Sequence, residues 1–215
     1  MMHAVEGLSR VYVVDDDGVA REAYRALLQS LGYQIEDYAD AESFLASADL
    51  DAAGCVVLDV NMPGISGTEL HERLRQAASP LSVVFVTAHG DVPSAVASMQ
   101  RGAASYLLKP VREQQLIDVV NRALRRSAAD AVEGHARRTV LARLGRLTPR
   151  EQEVLKQLVE GEHYDRVSAT LGITKRTVEA HRRRIMEKMG ARTLPQLLQQ
   201  LAHIAWPPRV PPRER

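Results

Sequence analysis

Asp59 closes an uncharged run, Gly54-Cys55-Val56-Val57-Leu58, and a Met62-Pro63-Gly64 turn follows at once. Val11-Tyr12-Val13-Val14 ends the same way, in Asp15, Asp16 and Asp17. Short apolar runs of this kind read as buried strands of a parallel sheet, and open parallel sheets hold their ligands at the carboxyl ends of their strands. Asp15, Asp16 and Asp59 are therefore expected to converge. Three carboxylates held together repel, and one is driven to protonate unless a cation neutralises them. Oxygen-only ligation by few side chains suits Mg²⁺, which keeps several waters and binds best beside a phosphoryl group. Lys109, at a neighbouring strand end, adds a positive charge, and Thr87, at another, a hydroxyl donor. A carboxylate nucleophile, a divalent ion, a lysine and a hydroxyl make a phosphoryl-acceptor site, in which the carboxylate attacks phosphorus while the cations stabilise the developing charge.

The elements that must carry these groups alternate. After the first strand, Val19, Ala23, Leu27, Leu28 and Leu31 recur at helical spacing, and Gly32 is placed to close that helix. A strand over 34–38, a helix capped by Asp40 to about 46, and a loop over 47–53 lead to the central strand. Ser66 and Glu69 have capping-box spacing and open a helix with Leu70 and Leu74 inside. Residues 83–87 form the fourth strand, Asp91 caps a helix that runs to about 100 with Pro93 near its start, and residues 105–108 form the fifth strand. A helix from 113 to about 126 completes five βα units. Connections of this length make parallel neighbours through right-handed crossovers, so the predicted fold is α/β, a doubly wound sheet with helices on both faces.

Residues 127–146 shift to Ala, Arg and small polar types with a weak helical pattern and read as a partly helical linker. Only helices follow. Thr148-Pro149-Arg150-Glu151 is a capping box with proline at the first helical position, and Gly161 ends the helix it opens. A short helix over 165–171, a turn at Gly172 and a longer helix over 174–189 have helix-turn-helix spacing. Thr193 and Gln196 repeat the capping-box spacing before a last helix bearing Leu197, Leu198, Leu201 and Ile204. The tail over 207–215 has four prolines and three arginines and reads as disordered.

Charge divides the chain the same way. Residues 1–126 carry 11 Lys+Arg against 17 Asp+Glu, and residues 127–215 carry 17 against 10. An acidic half joined to a basic half suggests cation chemistry in the first and a polyanionic partner, nucleic acid above all, for the second. With 215 residues, 45% of them apolar, there is enough material for two ordinary cores. Cys55 is the only cysteine, which leaves no disulfide framework or thiolate metal cluster and points to the cytoplasm. The first ten residues lack the apolar core of a signal peptide, and no run is long enough to span a membrane.

The strand-end Asp15-Asp16, the Asp59-x-x-Met62-Pro63-Gly64 turn, Thr87-Ala88 and Lys109-Pro110 together resemble the receiver domain of two-component response regulators, over about residues 8–126. His89-Gly90-Asp91-Val92-Pro93 resembles the FixJ branch in particular. The resemblance implies a flavodoxin-like sheet of order 2-1-3-4-5 and a receiver domain over 1–126. It further implies that Asp59 accepts a phosphoryl group from a histidine kinase, that Asp16 ligates Mg²⁺ directly and Asp15 through water, and that the Asn61 main-chain carbonyl is a third protein ligand. Lys109 would pair with the phosphate, Thr87 would move to bond it, and Tyr106 would respond by turning its ring. Lys109-Pro110 is similar to the family's cis-proline turn. The residues themselves leave alternatives open. Asp17, directly before Gly18, reads as a further acid ligand or as a helix N-cap, Tyr106 as a half-buried packing residue or a switch, and Asn61 as only a turn residue. Cys55 reads as core filler.

On a helical wheel the 174–189 helix puts Val178, Ile185 and Met189 on one stripe and Arg176, Glu179, Ala180 and Arg183 opposite, the natural face for a major groove. Arg182 falls near the buried edge, where its stem would lie along the core and its head reach a phosphate. Leu147-Thr148-Pro149-Arg150-Glu151-x-Glu153-Val154-Leu155, Thr177-Val178-Glu179-Ala180-His181 and Met186-Glu187-Lys188-Met189 resemble the LuxR-type helix-turn-helix, which implies a DNA-binding domain over 147–206. By that resemblance Glu179, Ala180 and Arg183 face bases, while Lys175, Thr177 and Arg184 hold phosphates. His181 packs or contacts backbone, and the last helix contributes to a homodimer. Asp165 and Ser168 depart from the family's pattern at the start of the short helix.

The combined expectation is a phosphorylation-controlled transcription regulator acting on a double-stranded DNA promoter, with a homodimer in the phosphorylated state, RNA polymerase as a further partner, no membrane association and no enzymatic activity beyond its own phosphorylation and dephosphorylation. An aspartyl-phosphate phosphatase of the haloacid dehalogenase type would share the nucleophile but wants an acid two residues after it, where Asn61 stands. A phosphorylation-independent DNA-binding or scaffold protein would have no use for the set Asp15, Asp16, Asp59, Thr87 and Lys109.

Overall fold

The computed structural model describes residues 9–88, 90–204 and 206. The tail over 207–215, read as disordered, and His89 lie outside the described residues. The chain divides into two compact units between Val132 and Glu133.

In the first unit the strands β1 (Arg10–Val14), β2 (Gln34–Tyr38), β3 (Cys55–Leu58), β4 (Ser82–Thr87) and β5 (Ser105–Leu108) form one parallel sheet in the order β2-β1-β3-β4-β5. The helices between them are α1 (Gly18–Ser30), α2 (Ala41–Ser47), α3 (Gly67–Gln76) and α4 (Val92–Gln100), and α5 (Glu113–Leu144) follows β5. Strand alternation sorts the core into two layers. Tyr12, Val14, Val56, Leu58, Val83 and Phe85 pack with Phe44, Leu70 and Leu74 on one face of the sheet. Val11, Val13, Cys55, Val57, Val84 and Val86 pack with Leu28, Leu116 and Val120 on the other. A strand buried on both faces has no polar positions to spare, which is why β1, β3 and β4 read as unbroken apolar runs. Cys55 is fully buried in the second layer and burial pushes its thiol up, as suits a packing residue.

The register carries the site. Val14 pairs with Leu58, so the next residues, Asp15 and Asp59, leave the sheet side by side. Thr87 pairs with Leu108, which places Lys109 one step beyond Thr87 at the same end. Parallel pairing thus gathers chemistry from positions far apart in the chain.

Helix α5 differs from expectation. It does not stop near 126 but continues to Leu144. No proline interrupts residues 127–144, and Gly134 weakens the helix there without breaking it. Ser127, read as linker, is fully buried and its hydroxyl accepts the Gly54 N–H at 2.8 Å, so this turn belongs to the first unit.

The second unit holds α6 (Pro149–Val159), α7 (Tyr164–Leu171), α8 (Lys175–Met189) and α9 (Leu194–Ala202). Its core joins Val140, Leu144, Leu147, Val154, Leu155, Val167, Val178, Ile185, Met189 and Leu197. The capping box at α6 is complete, Thr148 taking the Glu151 N–H and Glu151 the Thr148 N–H. The other two expected boxes are half-formed. Ser66 takes the Glu69 N–H while the Glu69 carboxylate turns to Arg73, and Thr193 takes the Gln196 N–H while Gln196 accepts from the Arg192 N–H. In each case another donor satisfies the side chain. No helix among the described residues is long and apolar enough to cross a membrane.

Candidate functional site

Asp15 and Asp59 sit at the carboxyl ends of β1 and β3, 2% and 6% exposed. The Asp59 N–H donates to the Val14 carbonyl at 2.8 Å, which locks the two strand ends together. Lys109, positioned by its own N–H on the Thr87 carbonyl at 2.8 Å, brings its Nζ to 2.6 Å from Asp15 Oδ2 and 3.2 Å from Asp59 Oδ1. A single ammonium therefore bridges both acids. Burial raises Asp15 above the usual carboxylate range, only partly offset by Lys109 and by the Asp17 N–H. Burial alone would lower Lys109, but the hydrogen bond and charge of Asp15, then those of Asp59, outweigh it and hold the ammonium above its ordinary range. It stays charged throughout the physiological range.

The expected convergence of Asp15, Asp16 and Asp59 is corrected in one respect. Asp15 and Asp59 meet around Lys109, whereas Asp16 is exposed, and no three His, Cys, Asp or Glu side chains among the described residues form a metal-holding group. Lys109 draws Asp15 and Asp59 together and offsets part of the negative charge that the three acids carry. Asp17 caps α1, its carboxylate accepting the Val19 N–H at 2.9 Å. Thr87 is buried at the end of β4. The Tyr106 ring lies 5.9 Å from that of Phe85, and its hydroxyl is buried without a hydrogen-bond partner among the described residues. Burial, then the charges of Asp91 and Asp59, raise that phenol above its ordinary range. The Lys109-Pro110 bond is cis.

Two features of the acceptor were not read from the sequence. The Asn61 N–H donates to Asp59 Oδ2 at 2.6 Å, a turn in which the carboxylate binds the backbone two residues on. An acid followed by a turn is a local signal for it. Gly67 is the second, since a Cβ there would lie 2.0 Å from the Asp59 carbonyl oxygen. No side chain fits between α3 and the strand end, and only a conserved register of packing, invisible in one sequence, would reveal that.

In the second unit Gly172, at φ +62°, makes the left-handed turn between α7 and α8. Thr174 caps α8 by accepting the Thr177 N–H at 3.2 Å. Helix α8 buries Val178, Ile185, Met189 and also Met186, which the wheel did not single out. Lys175, Arg176, Glu179, Ala180, Arg183 and Arg184 are exposed, while Thr177, His181 and Arg182 are half-buried. The Thr177 hydroxyl, expected on a phosphate, shares a hydrogen bond with Thr174 at 2.8 Å. Lys175, expected likewise, forms an ion pair with Asp165. The far end of α8 is held by two long-range contacts that no local spacing predicts. Lys188 reaches the buried Glu151 at 2.6 Å, and Arg143 donates to the Met189 carbonyl at 2.8 Å. Of the leucines assigned to a dimer contact, Leu197 and Leu201 belong to the unit's own core and Leu198 is left outside.

Comparison with known proteins agrees with this geometry. Residues 11–121 match the family described as response regulator receiver domain, and residues 145–201 the family described as bacterial regulatory proteins, luxR family. Over 200 residues the chain is 40% identical to the tetrathionate response regulatory protein TtrR of Salmonella typhimurium, covering 93% of this chain and 95% of that one. Over 189 residues it is 42% identical to the transcriptional regulatory protein FixJ of Azorhizobium caulinodans, covering 87% and 89%. Among solved structures it is similar to the response regulator StyR, with a TM-score of 0.76 at 37% identity, covering 91% of this chain and 99% of that one. It is also similar to full-length FixJ from B. japonicum, with a TM-score of 0.55 at 34% identity, covering 91% and 96%.

Proposed function

The chain belongs to the two-component response regulators that join a receiver domain to a LuxR-type DNA-binding domain, and on that premise we propose that Asp59 takes a phosphoryl group from the phosphohistidine of a histidine kinase and thereby sets how the second unit binds promoter DNA. Such a chain is a transcription regulator, not a classical enzyme. The observation that carries the acceptor reading is the Lys109 ammonium between Asp15 and Asp59. It marks where an anionic phosphoryl group would be neutralised.

In the proposed step an Asp59 carboxylate oxygen forms the new P–O bond, the P–N bond to the kinase imidazole breaks, and the imidazole leaves with the electron pair. The Asn61 N–H keeps the carboxylate turned, and Lys109 is near enough to Asp59 to follow the charge onto the phosphoryl oxygens. Asp15, Asp16, Asp59 and the Asn61 main-chain carbonyl are hard oxygen donors, and three carboxylates beside one lysine leave an excess of negative charge that suits a divalent ion. These are the residues that would hold Mg²⁺. The chemistry a bound Mg²⁺ supplies is electrostatic stabilisation of the charge that develops on the phosphoryl oxygens.

Phosphorylation replaces one negative charge with about two and adds acceptor oxygens. Thr87 and Lys109 would bind them, and the Tyr106 hydroxyl, without a hydrogen-bond partner among the described residues, would respond by reorienting. The readout we propose is dimerisation through exposed apolar side chains of the receiver unit, Val92, Val96 and Met99 on α4 with Leu108 on β5, and altered DNA binding by α8. The protein acts in the cytoplasm, where the promoter and RNA polymerase are.

On the DNA side, Glu179 can accept from cytosine and Arg183 can donate to guanine, each worth about 1–3 kcal/mol of discrimination. Arg183→Ala is therefore expected to weaken binding to a duplex selected from a random pool by roughly tenfold or more while leaving binding to mixed-sequence DNA nearly unchanged. Titration of both duplexes by fluorescence anisotropy measures this. Equal loss on the two would reassign Arg183 to a phosphate.

A further inference from the structure

Lys175 opens α8, and Asp165 stands in the first turn of α7. Their ion pair spans the helix-turn-helix from one helix to the other. The neighbouring cations are held differently. Arg166 pairs with Glu162 at 3.2 Å and Arg150 with Glu153 at 2.6 Å, partners within a turn along the chain. Only Lys175 among these three draws its carboxylate from the other helix of the motif.

Position makes that pairing consequential. A cation at the start of an HTH second helix lies where the helix meets the duplex, and the helix N-terminus itself favours an anion. Asp165 supplies one from within the protein. Its side chain and that of Lys175 are 70% and 64% exposed, so the pair sits in solvent, is weakly held and can be exchanged.

We infer that Asp165 is an internal stand-in for a DNA phosphate, holding the Lys175 ammonium until a duplex displaces it, so that the residue at 165 sets the sequence-independent affinity and the salt dependence of DNA binding. This rests on reading α8 as the DNA-facing helix. The free protein keeps Lys175 neutralised. On binding, the ammonium exchanges a carboxylate for a phosphate, and Asp165 is left facing the polyanion. Both effects lower affinity for every sequence alike, because phosphates position and bases specify. Residue 165 is thus an affinity-setting residue that leaves the base preference of Glu179 and Arg183 intact.

The test uses the full chain carrying Asp165→Asn, Lys175→Gln or both, titrated against a mixed-sequence duplex and a pool-selected duplex over a series of KCl concentrations. Asp165→Asn is expected to tighten binding to both duplexes by the same factor, about twofold to fivefold at low salt, and to steepen the plot of log K against log[KCl] by up to about one. Lys175→Gln is expected to weaken both and flatten the plot by about one. In the Lys175→Gln background Asp165→Asn should tighten binding clearly less than it does in the wild type, because only the repulsion of Asp165 by the duplex is left to relieve. An unchanged affinity and slope in Asp165→Asn would overturn the proposal, as would equal tightening by that change in the Lys175→Gln background, which would make Asp165 a bulk repulsive charge. If Lys175→Gln leaves both duplexes unaffected, the placement of α8 against DNA fails, and the proposal with it.

Discussion

Asp59→Asn is expected to reduce phosphoryl incorporation from acetyl phosphate and Mg²⁺ to background. The amide has neither the charge nor the lone-pair availability of the carboxylate, so the P–O bond does not form. The rest of the site survives the change. The Asn61 N–H still finds an oxygen where Asp59 Oδ2 stood, and Lys109 keeps Asp15 at 2.6 Å. Removing one of two adjacent buried acids also relieves their mutual repulsion, so a folded product is expected. Intact-mass measurement with peptide mapping decides the matter. Asp15 and Asp16 remain in the variant, and label on either of them would move the acceptor away from Asp59.

The second large effect concerns the frame that holds α8. Glu151 caps α6 through the Thr148 N–H at 2.8 Å and binds Lys188 at 2.6 Å, with its side chain 3% exposed. Removing one partner of a buried pair costs about 3–5 kcal/mol, and because Lys188 is 34% exposed, water recovers part of that. Glu151→Ala is therefore expected to destabilise the second unit by about 2–3 kcal/mol. Trp206 is the chain's single tryptophan and packs against that unit's core, so its fluorescence in a urea titration reports the loss. The same contact predicts an acid dependence. Burial alone would raise Glu151, but Lys188, the Thr148 N–H and the Thr148 side chain outweigh it and hold its carboxyl below the ordinary value. A group depressed in the folded state contributes stability above its unfolded value, near 4.3, and loses it as pH falls through the folded value. The wild-type midpoint should fall below about pH 4.3 more steeply than that of Glu151→Gln. Parallel curves would remove Glu151 from the stability of this unit.

What could be read from the chain and what could not divides along the range of the interactions. β1, β3 and β4 are legible because burial on both faces leaves runs of branched apolar residues, and the acids after those runs fall at one edge by topology alone. The helix-turn-helix is legible because Gly172 separates two periodic segments and the Thr148 capping box opens the helix before them. Beyond 126 only a partly helical linker is legible, not the unbroken helix α5, because a weakly amphipathic stretch without proline carries no local stop or go signal, and the burial of Ser127 against Gly54 is a tertiary fact. Lys109 is legible at the edge that gathers the acids, but its bridging of Asp15 and Asp59, like the Glu151 to Lys188 pair and the Asp165 to Lys175 pair, joins residues whose meeting depends on the fold. Each charge was visible, but not the carboxylate it would choose.

The central claim is that charge added at Asp59 is felt by α8. Its most direct test is the affinity of the full chain for a pool-selected duplex, measured before and after treatment with acetyl phosphate and Mg²⁺, with Asp59→Asn in parallel. A coupling of about 1–3 kcal/mol predicts a change of roughly 5- to 150-fold in the wild type and none in the variant. An affinity that does not move in the wild type, or one that moves equally in Asp59→Asn, would contradict it.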